Sequence, residues 1–418
     1  MELLRNISAR LKEDFNRKEA RVIVGPRQVG KTTILKKVAK YCFVRKIPNV
    51  YFNLEVPAHA ERFARPMGIV LKELTAKSQV VFIDEFHYLP NATKLFKAIF
   101  DQFPSVRIYA SGSSAIEMHK HLKESLAGRR LLYRVFPLSF TEWIPSRSKI
   151  KLPSSWKMAV SKRGHTILRR LSEEFVIFGG MPGLIHEKTT ENRKRLLLSL
   201  VETYIQKDIK ALLREEDILS FNRLLSLLAS QEGGILSEIG LSQALNYSLR
   251  QVRNDLAILQ QMFFLSVIKS FFNNRGRELK QSNKIYFFDT GIRNAILRDF
   301  RPLEGREDKG ELWESFVLAE MQKNLGVGQD IYYWRTREKD EVDFIIVQDR
   351  MPIAVEVKSK LKGTDIPQGV RRFMQQYPNC CKAIVLNNDI FEKVIFDGRE
   401  VVFAPHYYAR LIPTLFST

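Results

Sequence analysis

The stretch Gly25-Pro26-Arg27-Gln28-Val29-Gly30-Lys31-Thr32-Thr33 decides the fold of the N-terminal part of this chain. It fits the phosphate-loop pattern G-x-x-x-x-G-K-[ST]. The apolar run at residues 21–24 predicts a buried strand before the loop. After the loop, one helical face is predicted by the spacing of Leu35, Val38, Ala39 and Cys42. Strand, glycine loop and helix in this order predict a parallel α/β core that binds a nucleotide.

The residue types within the loop suit a polyphosphate and its magnesium ion. Gly25 and Gly30 let backbone N–H groups turn inward, and the dipole of the following helix favours an anion. Lys31 can reach the β- and γ-phosphates, and the Thr32 hydroxyl can ligate Mg²⁺. We therefore expect residues 25–33 to bind ATP or ADP, with Mg²⁺ as the second cofactor.

A pair of carboxylates follows another apolar run. Residues 80–83 predict a parallel strand buried on both faces, with Asp84 and Glu85 at its carboxyl end. We expect Asp84 to hold Mg²⁺ through its water shell, and Glu85 to orient or deprotonate the water that attacks the γ-phosphate. Such a pair can also simply cap the next turn, but the phosphate loop favours catalysis.

Small hydroxyl side chains end a further predicted strand of the same sheet. Residues 49–54 predict one additional strand, and residues 106–110 predict another that runs into Ser111-Gly112-Ser113-Ser114. This order places the hydroxyls beside the expected γ-phosphate position. We predict that Ser111 senses the nucleotide there.

An arginine before the fifth predicted strand, residues 131–135, is a candidate for catalysis between subunits. It belongs to the run Leu126-Ala127-Gly128-Arg129-Arg130. A guanidinium strongly stabilises the charge that develops on a transferred phosphoryl group. Arg129 is therefore predicted to complete the active site of a neighbouring copy in a homo-oligomer. The alternative is a solvated arginine pair on a basic protein.

The middle of the chain, residues 217–299, predicts short helices followed by a two-stranded ribbon. The third helix would begin at Ser248, with a capping box completed by Gln251. Apolar runs at residues 263–268 and 284–288 predict the two strands. This is the element order of a winged helix.

Basic side chains lie where a winged helix contacts DNA. Arg250 and Arg253 would be on the recognition helix, and Arg275 and Arg277 on the wing. Winged helices also serve as protein-docking or purely structural modules, so this pattern favours DNA as a partner without excluding those alternatives.

A second group of chemically active residues lies near the C-terminus. Glu356 and Lys358 are two positions apart on a predicted strand and therefore share a face. A hairpin would bring Asp343 beside them, and Glu314, on a predicted helix, could add a third carboxylate. Such oxygen ligands bind Mg²⁺ or Mn²⁺, and a neighbouring lysine can hold or deprotonate the attacking water. The alternative is a solvated sheet face with a salt bridge.

The chain resembles a group of bacterial and archaeal AAA+ ATPases that carry a C-terminal domain of unknown function. The residues that carry the resemblance form several motifs, at residues 25–33, 82–87, 126–129, 137–143, 179–182, 341–344 and 356–358. The resemblance implies an AAA+ core, a winged-helix segment and a nuclease-like module. Asp343, Glu356 and Lys358 also resemble the catalytic pattern of the PD-(D/E)XK nuclease superfamily.

Composition favours a folded protein with polyanionic partners. The 418 residues carry a formal net charge of +21, which suits nucleic acid. No apolar run reaches the roughly 20 residues that cross a bilayer, and nothing resembles a signal peptide. Three cysteines are too few for a disulfide framework. We therefore expect a cytoplasmic protein with no membrane partner.

Together these patterns predict an α/β protein in four parts. They are an AAA+ ATP-binding core (1–150), a helical lid or linker (151–216), a winged helix (217–299) and a nuclease-like domain (300–418). The predicted function is ATP hydrolysis coupled to DNA engagement, with nuclease activity left open. The competing function is a nucleotide-dependent switch or protein-remodelling adaptor with an inert nuclease-like fold.

Overall fold

The computed structural model describes residues 5–89, 92–112, 128–204, 217–272 and 283–416. The chain divides into two compact units: the first holds Met1–Leu138 with Leu256–Phe264, and the second holds Ser139–Asp255 with Leu265–Thr418. Among the described residues, no helix combines the length and the apolar character that crossing a bilayer requires. The division into four parts stays a prediction.

The first unit contains a five-stranded parallel sheet. Its strands are β1 (Ala20–Val24), β2 (Asn49–Asn53), β3 (Val80–Asp84), β4 (Arg107–Gly112) and β5 (Arg130–Arg134). They are arranged in the order β2-β3-β4-β1-β5, and every pairing is parallel. Their carboxyl ends therefore meet at one edge, where an open α/β sheet binds ligands. This confirms the predicted α/β fold of the core.

Burial in the first unit follows the predicted pattern. The described helices are α1 (Ile7–Glu13), α2 (Lys31–Val44), α3 (Pro57–Phe63), α4 (Met67–Thr75) and α5 (Ala92–Gln102). Strands β1 and β3 are buried at every position, as expected for parallel strands covered on both faces. On α2, Leu35, Val38 and Cys42 are buried and Ala39 is half-buried. The face predicted from their spacing therefore packs inward.

The next part of the chain is helical. Its described helices are α6 (Phe140–Trp143), α7 (Lys162–Phe178), α8 (Thr190–Thr203), α9 (Asp217–Ser230), α10 (Glu238–Leu245) and α11 (Leu249–Gln261). The Ser248 hydroxyl accepts a hydrogen bond from the Gln251 N–H at 3.1 Å, as an N-cap does. Helix α11 therefore begins where the sequence predicts.

Two strands follow α11, namely β6 (Leu265–Ser270) and β7 (Lys284–Phe287), which pair antiparallel. Strand β6 begins two residues later than predicted, because Phe263 adopts a positive φ of 61° just after the helix. Ile235, before α10, forms an isolated antiparallel bridge with Lys284. The predicted wing residues Arg275 and Arg277 lie outside the described residues.

The second unit contains an eight-stranded mixed sheet. Its remaining helices are α12 (Thr290–Leu297), α13 (Lys309–Lys323) and α14 (Gln368–Gln376). Its remaining strands are β8 (Asp330–Arg335), β9 (Glu341–Gln348), β10 (Met351–Val357), β11 (Lys382–Asn387), β12 (Glu392–Phe396) and β13 (Arg399–Pro405). The strand order is β12-β13-β11-β10-β9-β8-β6-β7. Strands β6 and β7 therefore belong to the same sheet as the C-terminal strands.

A tight hairpin connects β9 and β10. Asp349 and Arg350 form its turn with φ values of 50° and 64°, and two consecutive positive φ values match the twist of antiparallel strands. Val355 pairs with Phe344 across the hairpin. Strand β10 ends at Val357, one residue before the predicted end, although the Lys358 N–H still donates to Leu386 O of β11 at 2.8 Å.

Candidate functional site

The phosphate loop is shaped by close backbone approach. A Cβ atom on Gly25 would lie 2.2 Å from the Val135 carbonyl oxygen, so only glycine fits there. Gly30 has a φ of 94°, which L side chains rarely adopt. A side chain would therefore clash at position 25 and strain the backbone at position 30.

Lys31 lies inside the loop. Its ammonium donates to the carbonyl oxygens of Gly25 at 3.0 Å and Pro26 at 2.7 Å, and the residue is only 4% exposed. Thr32 is half-buried and Thr33 exposed in the first turn of α2. The loop thus concentrates a cation and a hydroxyl at the carboxyl edge of the parallel sheet.

Asp84 ends β3 at the same edge and is fully buried. The Tyr51 hydroxyl donates to one carboxylate oxygen at 2.8 Å, and the Ser111 hydroxyl donates to the other. Ser111 therefore lies where the sequence predicts, whereas Tyr51 was not predicted as a site residue. Its partner lies 33 positions away, on a strand whose pairing no local pattern specifies. Ser113 and Ser114 lie outside the described residues.

Glu85 follows directly and has a left-handed backbone with a φ of 54°. Burial raises the pKa of its carboxyl, the Lys31 charge opposes that rise, and the Asp84 charge adds to it. The ring nitrogen Nδ1 of His87 lies 3.2 Å from the Glu85 carboxylate, and burial lowers the pKa of His87 to about 4. His87 is therefore neutral at pH 7, and no role was predicted for it.

Arg5 is a second residue that the sequence patterns missed. Its guanidinium donates to Val29 O of the phosphate loop at 2.8 Å and to Phe136 O, beyond β5, at 2.6 Å. It thus fixes a loop carbonyl to the segment after the edge strand. A single arginine before α1 carries no sequence signal for such a contact.

Arg129 lies at the opposite end of the sheet, where the parallel strands begin. Its carbonyl accepts a hydrogen bond from the Ala20 N–H at the start of β1, which runs five residues to the loop. At ~3.3 Å per residue, the loop is ~16 Å away. The side chain pairs with Asp101 at 3.0 Å and lies over the Phe100 ring. Arg129 is therefore remote from the loop of its own chain, and its action on a neighbouring copy stays a prediction.

The predicted C-terminal residues lie close together in the second unit. One step beyond the Val355–Phe344 pair, the register sets Glu356 opposite Asp343. The Lys358 ammonium lies 2.6 Å from Glu356 Oε1, and the Val357 N–H donates to Asp343 Oδ2 at 2.8 Å. The hairpin therefore brings both carboxylates and the lysine together.

One carboxylate oxygen of this group stands out. Glu356 is 4% exposed, and its Oε2 has no hydrogen-bond partner among the residues that the structure describes. Burial raises the pKa of Glu356 to about 8, the Asp343 charge adds to that rise, and Lys358 opposes it. A buried oxygen acceptor without a partner costs free energy, which a bound cation or donor would recover.

Glu314 of α13 joins this group from another side. The Tyr286 hydroxyl of β7 donates to Glu314 Oε2 at 2.8 Å. Burial raises the pKa of Glu314 well above its usual value, and the Asp343 charge adds to this rise.

We call Glu314, Glu341, Asp343 and Glu356 the carboxylate cluster. Within the described ranges, no set of three or more acidic, histidine or cysteine side chains has an arrangement that could hold a metal ion.

Lys284 of β7 was also not predicted. Its ammonium contacts a carboxylate oxygen of Glu341 and lies 3.8 Å from Glu314 Oε2. Sequence patterns assign Lys284 to a ribbon strand and give no reason to place it against acids 30 and more positions away.

On the proposed recognition helix, Arg250 and Arg253 are exposed. Arg253 forms an ion pair with Glu238 of α10 at 2.6 Å. Exposed ion pairs of this kind contribute little to stability.

Three family models match successive parts of the chain. Residues 17–144 match an AAA domain, and residues 169–303 and 309–407 match two domains of unknown function. The first match covers the parallel sheet, the phosphate loop and the Asp84–Glu85 pair. It supports a nucleotide-binding AAA domain. The other two matches carry no activity with them.

Relatives that match most of the chain are themselves uncharacterized and give no activity. An uncharacterized protein of Mycobacterium tuberculosis is 26% identical over 357 residues, which are 85% of this chain and 73% of the relative. An uncharacterized protein of Methanocaldococcus jannaschii is 23% identical over 404 residues, covering 91% and 85%. AMPPCP-bound DnaA from Aquifex aeolicus has a TM-score of 0.28 at 14% identity, covering 61% of this chain and 86% of that chain. A likeness at this score carries no functional argument.

Proposed function

We propose that the chain is an ATPase that couples nucleotide hydrolysis to DNA engagement. The observation that carries the ATPase part is the convergence of Lys31, Asp84 and Glu85 at the carboxyl edge of the parallel sheet. Lys31 would hold the β- and γ-phosphates, and Glu85 would orient the attacking water. Ser111 and Tyr51 would keep the Asp84 carboxylate in place.

The donor set at this edge fits Mg²⁺. The Thr32 hydroxyl and the Asp84 carboxylate are hard oxygen donors, and Mg²⁺ commonly binds one or two such groups together with phosphate oxygens and water. Bound there, it would neutralise charge on the phosphates. Loss of ATP turnover on chelation of divalent cations tests this part of the proposal.

Two features support DNA as the partner. The chain carries a formal net charge of +21, and the elements α9, α10, α11, β6 and β7 follow one another in the order of a winged helix. Arg250 and Arg253 are exposed on the third of these helices. The deciding experiment measures DNA affinity over a range of salt concentrations, with and without ATP. A DNA affinity that changes neither with salt nor with ATP would favour the alternative function, a nucleotide-dependent switch or protein-remodelling adaptor.

The carboxylate cluster favours a second candidate function, metal-dependent hydrolysis of a phosphodiester. The observation behind it is the buried Glu356 Oε2 without a partner, beside Asp343 and Lys358. Asp343 and Glu356 would hold Mg²⁺ or Mn²⁺, with Glu314 as a third ligand after a shift of its side chain. Lys358 would hold or deprotonate the attacking water.

Full-length protein tests this second function. Mg²⁺ or Mn²⁺ should raise the thermal midpoint, and Glu356→Gln and Asp343→Asn should each abolish that rise. DNA nicking should require the same metal, and Lys358→Ala should remove cleavage while keeping the metal-induced rise. Stabilisation without cleavage of linear, branched or single-stranded DNA would leave a binding module. No stabilisation would leave a salt-bridged hairpin.

A further inference from the structure

Lys284 occupies an unusual position for a lysine. It is 4% exposed, and its ammonium lies among Glu341, Glu314 and the ring of Tyr333, whose centre is 5.6 Å away. An ammonium is strongly hydrated, so its burial is unfavourable unless carboxylates surround it.

Strand β7 presents a second side chain to the same acids. Tyr286 lies two residues after Lys284, so both side chains project from one face of the strand. Both approach Glu314 Oε2, the tyrosine at 2.8 Å and the lysine at 3.8 Å. One side of the carboxylate cluster is therefore occupied by protein donors, whereas Glu356 Oε2 on the other side has no partner among the described residues.

We propose that Lys284 is a resident counter-cation on the Glu314 and Glu341 side of the carboxylate cluster and that its charge sets how tightly the cluster binds a divalent cation. The inference rests on the metal site proposed above. Lys284 neutralises the Glu314 and Glu341 side, which leaves Asp343 and Glu356 to bind one Mg²⁺ or Mn²⁺. Because a lysine ammonium and a metal ion repel each other, the two cations compete for Glu314.

Mn²⁺ binding to the full chain, measured by electron paramagnetic resonance without nucleotide, tests the proposal. Removing one positive charge that lies against Glu314 and Glu341 should tighten Mn²⁺ binding about tenfold in Lys284→Met and Lys284→Gln. Lys284→Arg, which keeps the charge, should bind like the wild type. Lys269→Met, an exposed lysine of the same hairpin, is the matched control. Adding Glu356→Gln to Lys284→Met should abolish the gain.

The outcomes separate this proposal from the metal site itself. Unchanged or weaker Mn²⁺ binding in Lys284→Met and Lys284→Gln, beside normal binding by the wild type, overturns the role of Lys284 and leaves the metal site standing. Binding by the neutral variants alone supports Lys284 as the counter-cation and counts against metal-dependent cleavage by the wild type. Absence of binding in every folded variant, with folding checked by circular dichroism, overturns both.

Discussion

At the scale of single residues, Lys31 and Glu85 are expected to have separable tasks. Lys31→Ala removes the cation that holds the phosphates, so nucleotide affinity should fall sharply. Glu85→Gln keeps the shape but not the charge, so ATP should stay bound and turn over roughly 10²-fold more slowly. Equilibrium nucleotide titration and steady-state ATPase rates distinguish the two. Lys36→Ala, an exposed lysine on the same helix, is the control, and near-normal turnover in both site variants would refute the assignment.

Arg5 should act through the loop that it touches. Arg5→Met removes the bonds to Val29 O and Phe136 O, and charged hydrogen bonds contribute about 1.5–3 kcal/mol each. We expect roughly tenfold weaker ATP binding, with kcat nearly unchanged, because Arg5 orients the loop. Arg10→Met on α1 should behave as wild type. An unchanged ATP dissociation constant in Arg5→Met would show that the two hydrogen bonds of Arg5 do not affect nucleotide binding.

The residues that sequence analysis missed share one property. Phosphate-loop residues form a contiguous motif whose spacing follows from backbone geometry, and they were predictable. Tyr51, Arg5 and Lys284 each act on a partner at least 24 positions away in sequence. Hydrophobic periodicity identifies a strand or helix but does not specify which distant side chain faces it.

At the scale of elements, the arginine just before β5 leads to a prediction about homo-oligomer formation. Arg129 is remote from its own phosphate loop, so a catalytic role requires a neighbouring copy. Arg129→Ala should then lose most ATPase activity and keep ATP affinity. Mixing it with Lys31→Ala protein should recover part of the activity through mixed interfaces. A strictly monomeric wild type with full activity would rule this out.

The β9–β10 hairpin should make stability depend on pH. Burial raises the pKa of Glu356 in the folded state to about 8, from the ordinary glutamate value of about 4.5 in the unfolded chain. The protonated carboxyl of Glu356 therefore contributes to the free energy of unfolding below about pH 4.5. This contribution is lost as the pH rises toward 8. In metal-free buffer, thermal midpoints should fall over this range. Glu356→Gln should flatten the fall, whereas Glu392→Gln on the exposed face of β12 should not.

Strand order was only partly predictable at this scale. The five parallel strands followed from apolar runs that alternate with helical patterns, and the β9–β10 hairpin followed from a short polar turn between apolar runs. The placement of β6 beside β8 did not follow, because their contact joins Lys269 to Tyr332 across a long stretch of intervening chain. No local sequence pattern specifies which distant strand lies beside β8.

At the scale of the whole molecule, the positive charge should govern DNA binding. The logarithm of the association constant should fall linearly with the logarithm of salt concentration. Replacing both Arg250 and Arg253 by glutamine should reduce the magnitude of that slope by about two, since each phosphate contact contributes about one. Arg371→Gln on α14 is the matched exposed control. A slope unchanged in the double variant would place the DNA surface elsewhere.

The pairing of β6 with β8 has a consequence for dissecting the chain. A fragment that begins near residue 300 would lack β6 and β7, so the backbone groups of β8 around Tyr332 and Tyr333 would become an open edge. Open edges pair with other chains and promote aggregation. Such a fragment would also lose Lys284 and Tyr286, which leaves Glu314 without either donor. A cut just before Ser139 keeps this sheet together with residues 139–216 of the same unit. Truncation there should therefore yield a soluble C-terminal piece, whereas a cut at residue 300 should yield inclusion bodies.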